Sequence, residues 1–399
     1  VKYKGESMDI LKKEMKNHLI KVIIPFWEKL CDEDYGGFYG YMDFDQSIDK
    51  KYEKGCILNS RILWFFSNAY ETLDDSEVNR DELKKMADHA YEFLVKDCLD
   101  KDNGGVFWSL NYDGTEKDTT KHTYNQAFAI YALSSYYRIS NNEQSIKIAY
   151  DLYNIIENKC RDIDGYLEAF DKEFNLIEND KLSENGVMAY RTMNTLLHVY
   201  EAYTEFYIVT KDEKVKDKLK WIMDLIEAKI YNGDLKRQEV FFDKDYNSLI
   251  DLHSYGHDIE TAWLVDKGAE AVGDGYVEKM NEITSRLVEK VYEVAYTNNS
   301  LSNECEKGKV DTDRVWWVQA EAVVGFANEY IKTGNEKYKQ AAYSIWGFIK
   351  EYLVDKRNNS EWFWLTDENG KPYENKPLVE PWKCPYHNGR MCMEIIKRI

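Results

Sequence analysis

Residues 124–137 read YNQAFAIYALSSYY. The run carries no Asp, Glu, Lys or Arg, and its composition is helical. A helix that is apolar on every side is buried on every side. Five further runs share this character, with few charges: SRILWFFSNAY (60–70), TMNTLLHVYEAY (192–203), HDIETAWLV (257–265), VWWVQAEAVVGF (315–326) and YHNGRMCMEII (386–396). Between them lie runs of another kind. LKKMADHAYEFL (83–94), IAYDLYNII (148–156), VKDKLKWIMDLI (215–226) and YKQAAYSIWGFI (338–349) put apolar residues on one helical face and charges on the other. Such helices have one side in water.

The two kinds alternate. Arg61, Asn125, Asn194, Asp258, Trp317 and Asn388, near the starts of the uncharged runs, are spaced by 64, 69, 64, 59 and 71 residues. This is a sixfold repeat with a unit of about 65 residues. A third element recurs, a turn followed by an aromatic run: DEDYGGFYGYMD (32–43), DKDNGGVFWSL (100–110), DIDGYLEAF (162–170) and NNSEWFWL (358–365). Gly after Asp or Asn is turn chemistry, and the aromatics favour short strands. The expected fold is all-α: an (α/α)6 barrel of six helical hairpins with short β-hairpins on one rim. An open solenoid is the competing arrangement of the same hairpins. With five prolines and no low-complexity linker, residues 1–399 are expected to form one catalytic domain.

Composition narrows the partners. The chain has 72 acidic against 53 basic residues and a formal charge of −19, which disfavours nucleic acid and anionic membrane surfaces. Aromatics make up 15% of the chain, a supply for a large core or for a sugar-lining cleft. The seven cysteines (31, 56, 98, 160, 305, 384, 392) include no CxxC pair, as expected of free thiols in a reducing, cytoplasmic setting. No apolar run approaches the roughly 20 residues that span a bilayer. The first residues, VKYKGESMDILKKE, lack a signal-peptide core; Met8 is a candidate start, with residues 1–7 as an added leader. The sequence leaves monomer and homodimer open.

In a ring of hairpins the inner-helix starts converge on one rim. They bring together Arg61, Tyr124, Asn194 with His198, His257 with Glu260 and Trp263, Trp317 with Glu321, and His387 with Arg390. Polar groups on the most buried helices are costly unless partnered, so their gathering reads as a site. HSYGHDIETAW (253–263) offers His253, His257 and Glu260 as a metal set, although the Gly at the helix entrance separates the two histidines. Glu260 and Glu321 could serve as the carboxylate pair of an inverting glycosidase. A third reading uses histidines as an acid/base pair about a substrate carbon, with an Arg to hold an enediolate. His257, His387, His198 and Arg61 fit those roles, and Trp and Tyr supply sugar platforms. Taken singly, the tryptophans read equally as core, and His18, His89, His122 and His253 read as structural.

The runs SRILWFFSNAY, KHTYNQAFAIYALSSYY, SENG, TMNTLLH, HSYGHDIETAWL, RVWWVQAEAVVGF and PWKCPYHNGRMCMEII resemble the N-acylglucosamine 2-epimerase superfamily from Met8 to the C-terminus, and more narrowly its branch acting on cellobiose. The resemblance implies an (α/α)6 barrel and reversible epimerisation, without a cofactor or metal, at C2 of the reducing-end glucose of β-1,4-linked disaccharides. It implies that His257 and His387 are the acid/base pair, that His198 takes part in ring opening and that Arg61 contacts the reacting sugar. Tyr124, Asn194, Glu260, Trp263, Trp317, Glu321 and Trp382 match positions lining the sugar site, with Glu260 expected to orient His257 or a sugar hydroxyl. Monosaccharide epimerases, aldose–ketose isomerases, (α/α)6 glycosidases and a non-catalytic sugar-binding barrel remain the alternatives.

Overall fold

The uncharged runs are helices, and longer than the runs themselves. In the computed structural model they are α3 (Cys56–Thr72), α5 (Thr123–Ser140), α7 (Met193–Thr210), α9 (Tyr255–Val272), α11 (Trp316–Thr333) and α13 (Tyr386–Arg398). The structure describes residues 7–182 and 185–399. Ser183 and Glu184 of the SENG run, and the first six residues, lie outside the described residues. In α5 every residue from Thr123 to Tyr136 is buried, as an uncharged helix requires.

The amphipathic helices are α1 (Met8–His18), continuing through a π-helical turn into α2 (Ile24–Glu28), then α4 (Arg80–Phe93), α6 (Glu143–Lys159), α8 (Glu213–Leu225), α10 (Tyr276–Val294) and α12 (Glu336–Phe348). Several inner-to-outer turns share one device. Asn141, Lys211 and Gly334 take left-handed backbone conformations that end an inner helix, and the next residue, Asn142, Asp212 or Asn335, caps the outer one with its side chain.

The ring is closed, not open. Each inner helix packs on its neighbours from α3 round to α13, and α13 packs back on α3. Five helical pairs are contiguous hairpins: α3–α4, α5–α6, α7–α8, α9–α10 and α11–α12. The sixth is made from the two ends of the chain, with α1 as the outer partner of α13. The expected barrel of six helical pairs is thus present, with the sixth pair assembled from segments distant in sequence.

Short antiparallel strands tie the two ends of each unit on one rim: Lys54–Gly55 with Ser109–Leu110, Lys121–His122 with Ala169–Phe170, Arg191–Thr192 with Phe241–Phe242, Leu252–Ser254 with Glu304–Glu306, and Arg314–Val315 with Leu365–Thr366. A bridge between Met42 and Val379 does the same for the split unit. Buried charges then staple one unit to the next. Lys54 pairs with Asp32 (2.6 Å), Lys121 with Asp100 (2.9 Å), Arg191 with Asp162 (2.6 Å) and Lys383 with Glu361 (2.7 Å). In each case the cation lies just before an inner helix and the carboxylate follows the outer helix before it. The turn chemistry supplies that carboxylate: Asp100 also accepts the backbone N–H groups of Asp102 and Asn103, ahead of Gly104 and Gly105 at positive φ.

Removing one partner of a buried pair strands the other charge, so Lys121→Met is expected to lower stability by about 3–5 kcal/mol, read from the urea unfolding midpoint. Burial also holds His18 and His122 down at about 4, and His18 Nε2 accepts from Trp362 Nε1 at 2.7 Å, which requires the neutral ring. In the unfolded chain these histidines titrate near 6.5, so stability is whole above that pH and falls as the pH drops towards about 4. The melting temperature should follow that window, and His122→Phe, which takes up no proton, should flatten part of the fall.

Candidate active site

The strand-bearing rim surrounds a pocket of about 610 Å³ lined by residues from all six inner-helix entrances. Arg61, Tyr124, Asn194, His198, His257, Glu260, Trp317, Trp382 and His387 all line it. Two expected lining residues do not. Trp263 and Glu321 lie one layer behind the wall, and both are fully buried. The indole N–H of Trp263 donates to Glu321 Oε2 (2.9 Å), and Glu321 Oε1 receives His387 Nδ1 (2.7 Å). These two side chains hold the site from beneath.

The layer beneath is organised by Arg390. Its guanidinium donates to Glu201 on α7, Glu260 on α9 and Glu321 on α11, the last at 2.7 Å. It packs between the rings of Tyr386 (4.1 Å) and Trp263 (4.8 Å). Glu201 also receives His198 Nδ1 (2.9 Å) and the Tyr386 hydroxyl (2.5 Å). Burial opposes charge on Glu201, but Arg390 and His198 outweigh it and hold its carboxyl down at about 2. Glu260 is the reverse case: burial first, then the neighbouring Glu321, push it up to about 8 against the pull of Arg390.

Each of the three pocket histidines is fixed through Nδ1. Glu201 holds His198, Glu321 holds His387, and the hydroxyl of Ser254 lies 2.7 Å from Nδ1 of His257. Glu260 therefore does not orient His257, as expected from the sequence; it faces Arg390 instead. Trp317 touches both members of the candidate pair, its ring centre 4.8 Å from His257 and 5.5 Å from His387. Gly256 makes room for it, since a Cβ there would lie 2.5 Å from the Trp317 ring. Burial, with lesser repulsion from His198, lowers His257 to about 3; burial and then Arg390 take His387 well below its ordinary value. Both rings are neutral at neutral pH.

Arg61 is buried, yet among the described residues its hydrogen bonds reach no anion. It donates to the Tyr124 hydroxyl (2.8 Å) and to the Cys384 thiol (3.9 Å), with the Phe128 and Tyr386 rings at 4.2 and 4.6 Å. Its Nε has no partner. A buried cation without a counter-charge is preorganised for an incoming anion.

The metal reading of HSYGHDIETAW dissolves. His253 lies in the rim strand and its Nε2 meets Asp258 at 2.8 Å, while His257 is in the helix beyond. Among the described residues one set has ligand-like spacing, Glu260, Glu321 and His387. Arg390 already donates to both carboxylates, so a cationic group occupies that place. The sequence reading missed Glu201 and Ser254 and gave Arg390 no role. The H-x-x-E spacing of His198 and Glu201 on an otherwise uncharged helix was the available signal.

With ionised carboxylates behind them, His198 and His387 should be neutral Nδ1–H tautomers at pH near 7. Nitrogen-15 NMR of histidine-labelled protein reads this directly, and Glu321→Gln should shift the His387 signals alone. An Nε2–H tautomer on His387 in the unmodified protein would contradict the arrangement.

The comparisons with known proteins agree with this architecture. Residues 37–388 match the family model described as N-acylglucosamine 2-epimerase (GlcNAc 2-epimerase). A cellobiose 2-epimerase of Eubacterium cellulosolvens is 50% identical over 96% of this chain and 98% of its own. One from Ruminococcus albus is 48% identical with the same coverage. The solved structure of cellobiose 2-epimerase from Bacillus thermoamylovorans superposes with a TM-score of 0.94 at 40% identity, covering 98% of this chain and all of the other. The chain belongs to the N-acylglucosamine 2-epimerase family.

Proposed function

We propose that this protein is a cellobiose 2-epimerase, inverting C2 of the reducing-end glucose of cellobiose and related β-1,4-linked disaccharides to give the mannose epimer. The observation that carries the reading is two neutral histidines, His257 and His387, from different helices, touching one tryptophan in a pocket that also holds an arginine with no counter-anion among the described residues. The relatives named above point to the same activity.

In this mechanism the pyranose ring first opens, with His198 moving the proton between ring oxygen and O1. One of His257 and His387 takes the C2 proton, and the electron pair passes to O1 to form a cis-enediolate. Arg61, buried among aromatic rings at the base of the pocket, stabilises the developing charge where water screens it little. The other histidine, protonated at Nε2 by water entering through the pocket mouth once the enediolate charge is in place, delivers that proton to the opposite face, and the first histidine releases the abstracted proton to water. No cofactor enters, since both proton transfers and the charge are handled by side chains. The outer half of the pocket, with Asn185, Asp311, Trp364 and Lys376, offers polar and aromatic contacts for the second sugar.

The glycosidase reading loses its geometry. Glu260 and Glu321 offer oxygens within 4.8 Å of each other and share Arg390, whereas an inverting pair stands roughly 6.5–9.5 Å apart about the bond it cleaves.

Incubation with cellobiose in D2O, followed by proton NMR, tests the proposal. A mannose-type reducing end carrying deuterium at C2 is expected; free glucose, or an unchanged disaccharide, would refute it. His257→Ala and His387→Ala should each lower kcat by at least about 100-fold while still binding cellobiose. Substantial turnover by either variant would remove the two-base assignment.

A further inference from the structure

Three carboxylates meet around one guanidinium at the floor of the pocket, and their surroundings differ. Glu201 takes donors from His198, Tyr386 and Arg390. Glu321 takes Trp263 on one oxygen and both His387 and Arg390 on the other. Every oxygen of these two is supplied with donors, the setting of an ionised carboxylate. Glu260 takes Arg390 on Oε1 alone. Its Oε2 is fully buried, has no partner and belongs to a residue lining the pocket. An acceptor left bare in this way is costly; an acid hydroxyl at the pocket wall, which a small turn of the side chain brings to a substrate oxygen, is less so.

Counting charge gives the same answer. Among the described residues, the titratable and charged groups of the pocket base and its floor around Glu260 are Arg61 from α3, Tyr124 from α5, His198 and Glu201 from α7, Glu321 from α11, and Tyr386, His387 and Arg390 from α13, with His257 on its own helix. With the tyrosines and histidines neutral, Arg390 pairs with Glu201 and Glu321, and Arg61, which bonds neither, brings the sum over these groups to zero. A third carboxylate charge would stand unbalanced in a buried site, beside the place where an enediolate must form.

We propose that Glu260 is a neutral carboxylic acid in the resting enzyme and that its Oε2–H donates a hydrogen bond to an oxygen of the reacting sugar, strengthening as that oxygen becomes negative. The inference rests on the epimerase reading for its substrate. It makes Glu260 a hydrogen-bond donor beside Arg61, where a second anion would oppose the reaction. The shared proton of the carboxylate cluster sits on Glu260 because it alone has an oxygen without a donor, and burial with Glu321 alongside lifts its pKa to about 8. No proton is transferred by it.

The test compares kcat/KM for cellobiose against pH in the unmodified enzyme, Glu260→Gln and Glu260→Ala. An amide reproduces both contacts of the acid, oxygen to Arg390 and N–H to the sugar. Glu260→Gln should keep activity within about tenfold, and Glu260→Ala should lose at least about 100-fold. The unmodified enzyme should lose activity through an alkaline limb near pH 8 that Glu260→Gln lacks. A folded Glu260→Gln as inactive as Glu260→Ala, or one retaining that limb, would overturn the proposal. Infrared spectroscopy decides independently of turnover: the unmodified protein at pH 6 should show a protonated-carboxyl stretch that is absent from Glu260→Gln and fades as the pH is raised through about 8. Its absence would also overturn the proposal. An unmodified enzyme that leaves cellobiose unchanged would sink the epimerase reading, while the infrared band would still report on Glu260.

Discussion

The floor of the pocket depends on one guanidinium. Arg390 reaches carboxylates on three inner helices from a fourth, and each carboxylate then carries something the pocket needs: Glu201 carries His198, Glu321 carries His387, and Glu260 faces the cavity itself. Burying such a cluster in place of apolar residues is a poor route to stability. It is a good route to position, because planar donors and bidentate acceptors fix direction as well as distance. Trp263 and Tyr386, packed on the guanidinium, restrict its plane further. A side chain that touches no substrate thus sets the aim of several that line the pocket.

Two kinds of stitching hold the barrel around that floor. Strand pairs join the ends of a single unit, and buried ion pairs join one unit to the next. Both lie on the rim that bears the pocket. The opposite mouth is crossed by a different network, in which Lys267 and Arg398 meet Glu394 and Lys332 meets Asp266. The pocket is therefore open at one end of a ring whose other end is spanned by ion pairs.

Much of this was legible in the chain itself. The inner helices announce themselves by lack of charge, the rim by Asp-Asn-Gly turns before aromatic runs, and eight of the residues that line the pocket by their place at the inner-helix starts, Trp382 being added only by the family resemblance. What sequence spacing could not resolve was depth. Trp263 lies six residues after His257 and Glu321 four after Trp317, yet a turn of helix carries each behind the wall. Nor could it resolve pairing across helices: Glu260 was offered His257 on its own helix or a sugar hydroxyl, and the side chain it meets is Arg390, 130 positions away. HxxxH suggested a metal because the strand-to-helix change between His253 and His257 leaves no trace in spacing alone. Ring closure was legible; the division of the sixth unit between the two termini was not, because counting repeats does not tell which outer helix serves which inner one.

That division has a consequence for how the protein comes into being. As the chain leaves the ribosome, α1 emerges before the other described helices with its apolar face exposed, and its partner α13 follows all of them. Contacts between distant parts of a chain are slow to form and leave apolar surface uncovered meanwhile. The same late helix brings His387 and Arg390, so the act that shields the oldest helix also supplies a candidate base and the anchor of the pocket floor. Nascent chains shorter than this would hold an unclosed ring and an unaligned cavity, and catalytic competence would arrive in one step with topological completion.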